Sequence, residues 1–285
     1  MKILLLPGFI LTSTVLHAQY FYNDITATQE TNRQMRSFTD NKVRTVSATG
    51  YDENGTRTTD FTEVQEVREN GALLKLSVIR SLVKTVRYSR FDAQGRLTSM
   101  TDSSAGAESI TRYEYDAGGK ITKVMNISKD PENEINREEV HIWTYHSNGR
   151  PEKMWRIINR SDSLEVRFVA DEKGNPGEEV SYKRGRETDR VYYYFDEESR
   201  ISDIVRYNDK VKKLLPDNIF SYDDNGRLIQ IMSSTPADKY GKITWVSYQS
   251  LRYVYDEKGL KMGEVMFNGD QQQTGRIKYS YTFGQ

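Results

Sequence analysis

Cysteine is absent from this 285-residue chain. That excludes disulfides, thiol nucleophiles, thiolate-held metals and anchorage through a lipidated cysteine. Without a covalent staple, stability has to come from the fold itself. Histidine is nearly as scarce: of three residues, His17 falls in an apolar leader, which leaves His141 and His146. These two lie five apart on a predicted strand, so their side chains project to opposite faces. They cannot form a two-histidine metal site, and no third histidine completes one. An excess of one charge is missing too, with 41 basic residues against 41 acidic. The summed field therefore offers nothing to nucleic acid or to an anionic membrane. Apolar residues make up 36% of the chain, against roughly 45–50% in typical globular domains. Such a core is thin, as in an extended sheet or a repeat array.

One apolar run stands out, at the start. Lys2 supplies a positive residue, Ile3 to Leu16 form a short apolar stretch, and Leu16-His17-Ala18 precedes a polar chain. This is the pattern of a removable export signal, too short to span a bilayer comfortably. Residues 1–19 are read as the signal and 20–285 as the mature domain, with no transmembrane segment after signal removal. The mature protein is expected in the periplasm, on the outer surface or secreted.

What the chain has in abundance is self-similarity. The clearest copies of one motif begin at Phe91 (FDAQGRL), Tyr115 (YDAGGKI) and Tyr222 (YDDNGRL); weaker ones begin at Tyr51, Tyr145, Ala170, Phe195 and Tyr255. From Phe91 to Tyr255 the starts are 24 to 33 residues apart. Asp opening a tight turn can bond its side chain to the backbone two residues on, and the Gly three positions later accepts a left-handed conformation. Flanked by alternating residues, such a turn is a β-hairpin connection with a bulge. An aromatic two positions upstream of the motif, as in Tyr113/Tyr115, Trp143/Tyr145, Tyr193/Phe195, Phe220/Tyr222 and Tyr253/Tyr255, puts two rings on one strand face. Polar stretches at 129–137, 184–190 and 233–241 read as exposed tips. No helix is predicted, and Thr62 to Arg80, the one stretch of mixed periodicity, is assigned to strand. Tyr20-Phe21-Tyr22 and Tyr279-Ser280-Tyr281 read as terminal half-units whose pairing would cover exposed edges. The expected fold is all-β: tandem antiparallel hairpins in one long, curved sheet that rolls up in part.

The recurring Tyr-x-Tyr-Asp-x-x-Gly-Arg-Leu element, best kept at Tyr113 to Ile121, Phe220 to Leu228 and Tyr253 to Leu260, resembles the YD repeats of Rhs, teneurin and bacterial wall-associated proteins. The resemblance runs over residues 45–283 and implies a hairpin array curling into a continuous sheet, which in large members wraps a shell around a toxin cargo. The chain is short for enclosure, and neither the family's conserved core region nor a toxin domain is recognised in it. Encapsulation and self-cleavage are therefore not carried over, and the chain looks more like the small exported YD-repeat proteins of Bacteroidetes-type bacteria.

Chemistry finds little purchase in the sequence. Carboxylates are plentiful enough for an acid/base pair, but Asp92, Asp116, Asp196, Asp223 and Asp256 recur at the turn position, which points to folding. Asp130, Glu132 and Glu134 lack the glycine and terminal Glu spacing of a calcium loop. Trp143, Trp155 and Trp245 are the candidate ligand-binding residues, aromatic platforms for a sugar chain or peptide, with core filling as the plainer reading. No catalytic residue, metal or cofactor is expected. The leading function is a non-catalytic exported structural or interaction module whose partner is an envelope or extracellular protein. Alternatives are glycan binding or processing on the aromatic face, and an accessory or immunity-like partner of a secreted toxin.

Overall fold

A computed structural model describes residues 20–284 apart from 105, 240 and 241, and the side chains of 236–246 fall outside that description. The predicted signal, residues 1–19, lies outside the described residues. A helix, α1 (Asn23–Asp40), comes first. Eighteen strands follow among the described residues: β1 (Val43–Asp52), β2 (Phe61–Arg68), β3 (Leu73–Arg80), β4 (Val83–Phe91), β5 (Leu97–Ser104) and β6 (Ala107–Tyr115). They continue as β7 (Ile121–Asp130), β8 (Ile135–Tyr145), β9 (Pro151–Ile158), β10 (Asp162–Ala170), β11 (Pro176–Lys183) and β12 (Arg186–Phe195). The last six are β13 (Ile201–Asn208), β14 (Lys213–Tyr222), β15 (Leu228–Lys239), β16 (Lys242–Tyr255), β17 (Lys261–Phe267) and β18 (Gln273–Phe283).

Each strand pairs antiparallel with the next, and β18 pairs back onto β1 from Val43↔Phe283 to Asp52↔Gly275. The sheet thus closes into an 18-stranded meander barrel, where the sequence reading had it rolling only in part. Closure removes both edges, so the array needs no capping half-units. The expected half-unit at Tyr20–Tyr22 is not a strand: it leads into α1, and β1 is the strand that meets Tyr279–Tyr281. The stretch 233–241, expected as an exposed tip, is largely strand, since β15 runs to Lys239.

The repeat motif accounts for one rim almost atom by atom. At Asp92 the backbone N–H donates to the Arg96 carbonyl and Gly95 N–H donates back to Asp92 O, both at 2.9 Å. Asp92 Oδ1 accepts Gln94 N–H (3.0 Å) and Arg96 N–H (2.9 Å), while Oδ2 accepts Arg96 Nε (2.8 Å). Gly95 sits at φ 72°, the left-handed region that glycine enters without strain. Asp196 and Asp223 repeat the same bonds with Arg200 and Arg227, and His146 takes the Asp place with its backbone alone. Where the residue opening a unit is tyrosine, it ties that unit to the one before along this rim. Tyr115 donates its hydroxyl to Leu97 O, Tyr145 to Ile121 O, Tyr222 to Ile201 O, Tyr255 to Leu228 O and Tyr281 to Lys261 O, at 2.5 to 2.9 Å. In four of the turns the closing cation lies over the next unit's ring: Arg96 on Tyr115 (5.0 Å), Lys120 on Tyr145 (5.3 Å), Arg200 on Tyr222 (4.7 Å) and Arg227 on Tyr255 (5.1 Å). A register shift precedes the turn in these hairpins, the expected bulge.

Strand alternation puts these turns on one rim. The copy at Tyr51 makes the same turn, with Asp52 N–H donating to Thr56 O, but it joins β1 to β2 and so lies on the opposite rim. A further copy there, unread in the sequence, uses Asn268 in place of Asp and closes onto Gln272. Inward positions hold the paired aromatics and three apolar clusters, around Met35 and Phe38, around Trp143 and Met154, and around Val191 and Tyr193. The outer wall carries cross-strand ion pairs such as Lys75–Glu66 and Lys123–Glu114, and Arg167–Glu165 along one strand. The same wall also exposes apolar side chains, among them Ile142, Trp155, Tyr194 and Val254.

Candidate functional site

The densest group of buried ionisable side chains lies where α1 crosses the rim of repeat turns. The helix presents Thr28, Met35 and Phe38 to the barrel, and Gln29, Glu30, Arg33 and Arg36 to solvent. Its contacts reach far around the wall. Asn32 Oδ1 accepts the Leu97 N–H of β5 at 2.8 Å, and Phe38 packs edge-on to Tyr281 of β18. At the other end Tyr20 donates its hydroxyl to Asp217 of β14 (2.6 Å), under the Arg206 guanidinium of β13 (4.9 Å). The helix is a bar across the mouth.

Two charged groups hold its first turn. Glu179, on β11 and 1% exposed, accepts the Phe21 N–H (3.1 Å), the Tyr22 N–H (2.8 Å) and the Tyr193 hydroxyl (2.8 Å). Burial pushes its carboxyl up to about 7, and these donors offset only part of that rise. Next to it, Asp24 Oδ2 lies 2.6 Å from His141 Nδ1 and accepts the Trp143 Nε1–H at 3.1 Å. His141 Nε2 lies 2.9 Å from Glu139 Oε1, which also accepts Arg156 Nε at 2.8 Å; Arg137 reaches the other oxygen of Glu139. Burial alone would lower the His141 pKa, but Asp24 and Glu139 on either side prevail and raise it to about 9. Burial works against the Glu139 carboxylate as well, yet His141 and Arg156 hold it far below its usual range.

A histidine between two carboxylates invites comparison with a catalytic triad. Here both ring nitrogens lie on carboxylates, and the two neighbours favour the cationic ring. The arrangement is that of a clamp on the helix.

The tryptophans separate. Trp143 faces inward, 3% exposed, stacked on Phe168 at 5.2 Å. Trp155 faces outward on the neighbouring strand and is 40% exposed. The Trp245 side chain lies outside the described residues. The structure does not bring Trp143 and Trp155 to one face. The Asp130 carboxylate is taken up by Asn133, and among the described residues no group of three or more His, Asp or Glu could hold a metal ion. Sequence reasoning passed over Asp24 and Glu179. The pairs Glu138-Glu139 and Glu178-Glu179 leave open which glutamate points inward, and Asp24 acquires meaning only once the helix is in place.

With this geometry in view, residues 91–125 match the RHS Repeat family. That segment covers two consecutive turns of the rim, and the chain carries repeats of this YD type. No curated protein sequence matches the chain. Among solved structures, the Tc holotoxin pore of Photorhabdus luminescens is similar at 13% identity and a TM-score of 0.35, over 78% of this chain and 12% of that one. A porin-like protein of Bacteroides uniformis is similar at 10% identity and a TM-score of 0.45, over 84% of this chain and 98% of that one. A porin-like protein of Bacteroides vulgatus gives 10% identity, 0.29, and the same coverages. The chain spans only 12% of the toxin chain's length, and likeness at these levels transfers no activity.

Proposed function

We propose that this RHS-repeat chain is an exported, non-catalytic interaction module of the cell envelope or cell surface. The observation that carries the reading is the internal use of its ionisable groups. The recurring aspartates accept turn N–H groups and pair with turn arginines, and the buried His141 group is saturated in holding α1. Side chains so committed support architecture rather than turnover. The leader of Lys2 and an apolar stretch favours export, and a sheet with no open edge suits a protein that stands free outside the cytoplasm.

The test is a cross-linked pull-down with residues 20–285 as bait against the source organism's envelope fraction, with the N-terminus of the exported protein sequenced alongside. The reading expects one protein to be enriched reproducibly and the exported chain to begin near Tyr20. Recovery of polysaccharide alone, recovery of nothing, or an intact leader on a cytoplasmic protein would contradict it.

A further inference from the structure

The rim opposite α1 carries a hairpin tip that folding alone does not explain. β3 and β4 pair up to Arg80↔Val83, leaving Ser81 and Leu82 as a two-residue loop. Both residues have positive φ, 47° and 73°. Loops of this kind favour Asn-Gly because the second position suits glycine. The β11–β12 loop follows that rule, with Arg184 at 51° and Gly185 at 77°. Leucine at the equivalent place accepts backbone strain. It also accepts solvent: Leu82 is 97% exposed, with Val83 at 50% and Ile79 at 42% beside it. Strain and apolar exposure at one residue both count against the free protein, and such costs collect where a segment binds something.

We propose that the Ser81–Leu82 tip is a docking knob whose leucine enters an apolar pocket on a protein partner, an inference that rests on the interaction-module reading above. The loop has no slack, since the Ser81 N–H donates to Asp60 O at 2.9 Å, so little entropy is lost on binding. The charges around the tip favour a protein over a lipid surface. Arg80, Lys84 and Arg57 share this part of the rim with Glu53, Asp60 and Glu108, on the hairpin itself and on the flanking strands and loops. Three cations balanced by three carboxylates form no basic collar for anionic headgroups.

The test places photoreactive benzoyl-phenylalanine at position 82 of the full chain, irradiated in the source organism, with the same probe at exposed Lys210 on another tip of this rim. One protein adduct is expected at 82 and not at 210. With that protein purified, Leu82→Gly should bind at least tenfold more weakly while melting higher than wild type, because glycine relieves the loop. That pairing separates lost contact from lost folding. An adduct with lipid alone, an adduct with a second copy of this chain, no adduct at 82, or unchanged affinity of Leu82→Gly would overturn the proposal. A partner recovered equally by wild type and Leu82→Gly removes the knob but leaves the interaction-module reading intact. Failure of the pull-down with the intact chain removes both.

Discussion

The turn motif assigns a task to each of its residues, and those tasks can be tested singly. Tyr115, Tyr145, Tyr222 and Tyr255 each keep the ring in place through packing and the hydroxyl on a carbonyl of the preceding unit, so Tyr→Phe removes one hydrogen bond and nothing else. Tyr145→Phe should cost about 1 kcal/mol. Tyr115→Phe and Tyr222→Phe lie on well-separated turns and share no partner, so their double variant should be additive in urea denaturation. The turn glycine gives the converse case. In the Phe195 copy Ser199 occupies that place at φ 59°, and Ser199→Gly should stabilise by about 1 kcal/mol, read as a higher urea midpoint with unchanged slope. All of this was legible in the sequence, because Asp, Gly and the aromatic are required locally. The stacking of Arg96, Arg200 and Arg227 on the following unit's ring was not, because it joins residues whose proximity depends on how neighbouring hairpins pack.

Helix α1 escaped the sequence reading for a physical reason. Its apolar stripe is reduced to Ile25, Met35 and Phe38, its interior is rich in threonines that bond back to the helix, as Thr28 does to Asp24 O at 2.6 Å, and no side chain of its own caps its start. The turn that leads into it is anchored instead by Glu179, more than 150 residues away, which accepts the Phe21 and Tyr22 N–H groups. Because these anchors titrate, the hold on the helix should depend on pH. His141 has a folded pKa of about 9, above its ordinary 6.5. Its contribution is therefore full below the ordinary value and lost as pH rises through 9, with a limit on the order of 3 kcal/mol. Glu179 is likewise raised, and the preference of the folded state for its proton fades between its ordinary value and about 7. Both effects weaken docking as pH rises, that of Glu179 up to about pH 7 and that of His141 beyond it. Hydrogen exchange of the α1 amides, corrected for intrinsic rate, should show falling protection from pH 7 to pH 10. His141→Gln, which has no charge to lose, should flatten that dependence. Equal protection across the range in the wild type would remove the clamp from the account.

For the whole molecule, the all-β hairpin array was readable from recurrence, but its closure was not. A repeat specifies how one hairpin meets the next and says little about how many complete a circuit. The circuit closes through β1, which lies outside the run of regular copies, and through β18, whose Tyr281 continues the hydroxyl series onto Lys261. The Tyr51 copy falls on the other rim by alternation alone, since β1 lies three antiparallel steps before β4, where the regular copies begin. The central claim is therefore the β1–β18 seam, and the natural absence of cysteine makes it simple to probe. Ser47 and Ser280 are directly paired across it, at a Cα separation that antiparallel partners and disulfides share. The decisive measurement is oxidation of a Ser47→Cys/Ser280→Cys double variant, with Ser47→Cys/Ser163→Cys, the second site on β10 far around the wall, as control. A closed barrel predicts rapid intramolecular cross-linking of the first pair alone, visible as a mobility shift that reductant reverses. No cross-link in the first pair, or equal cross-linking in both, would contradict closure.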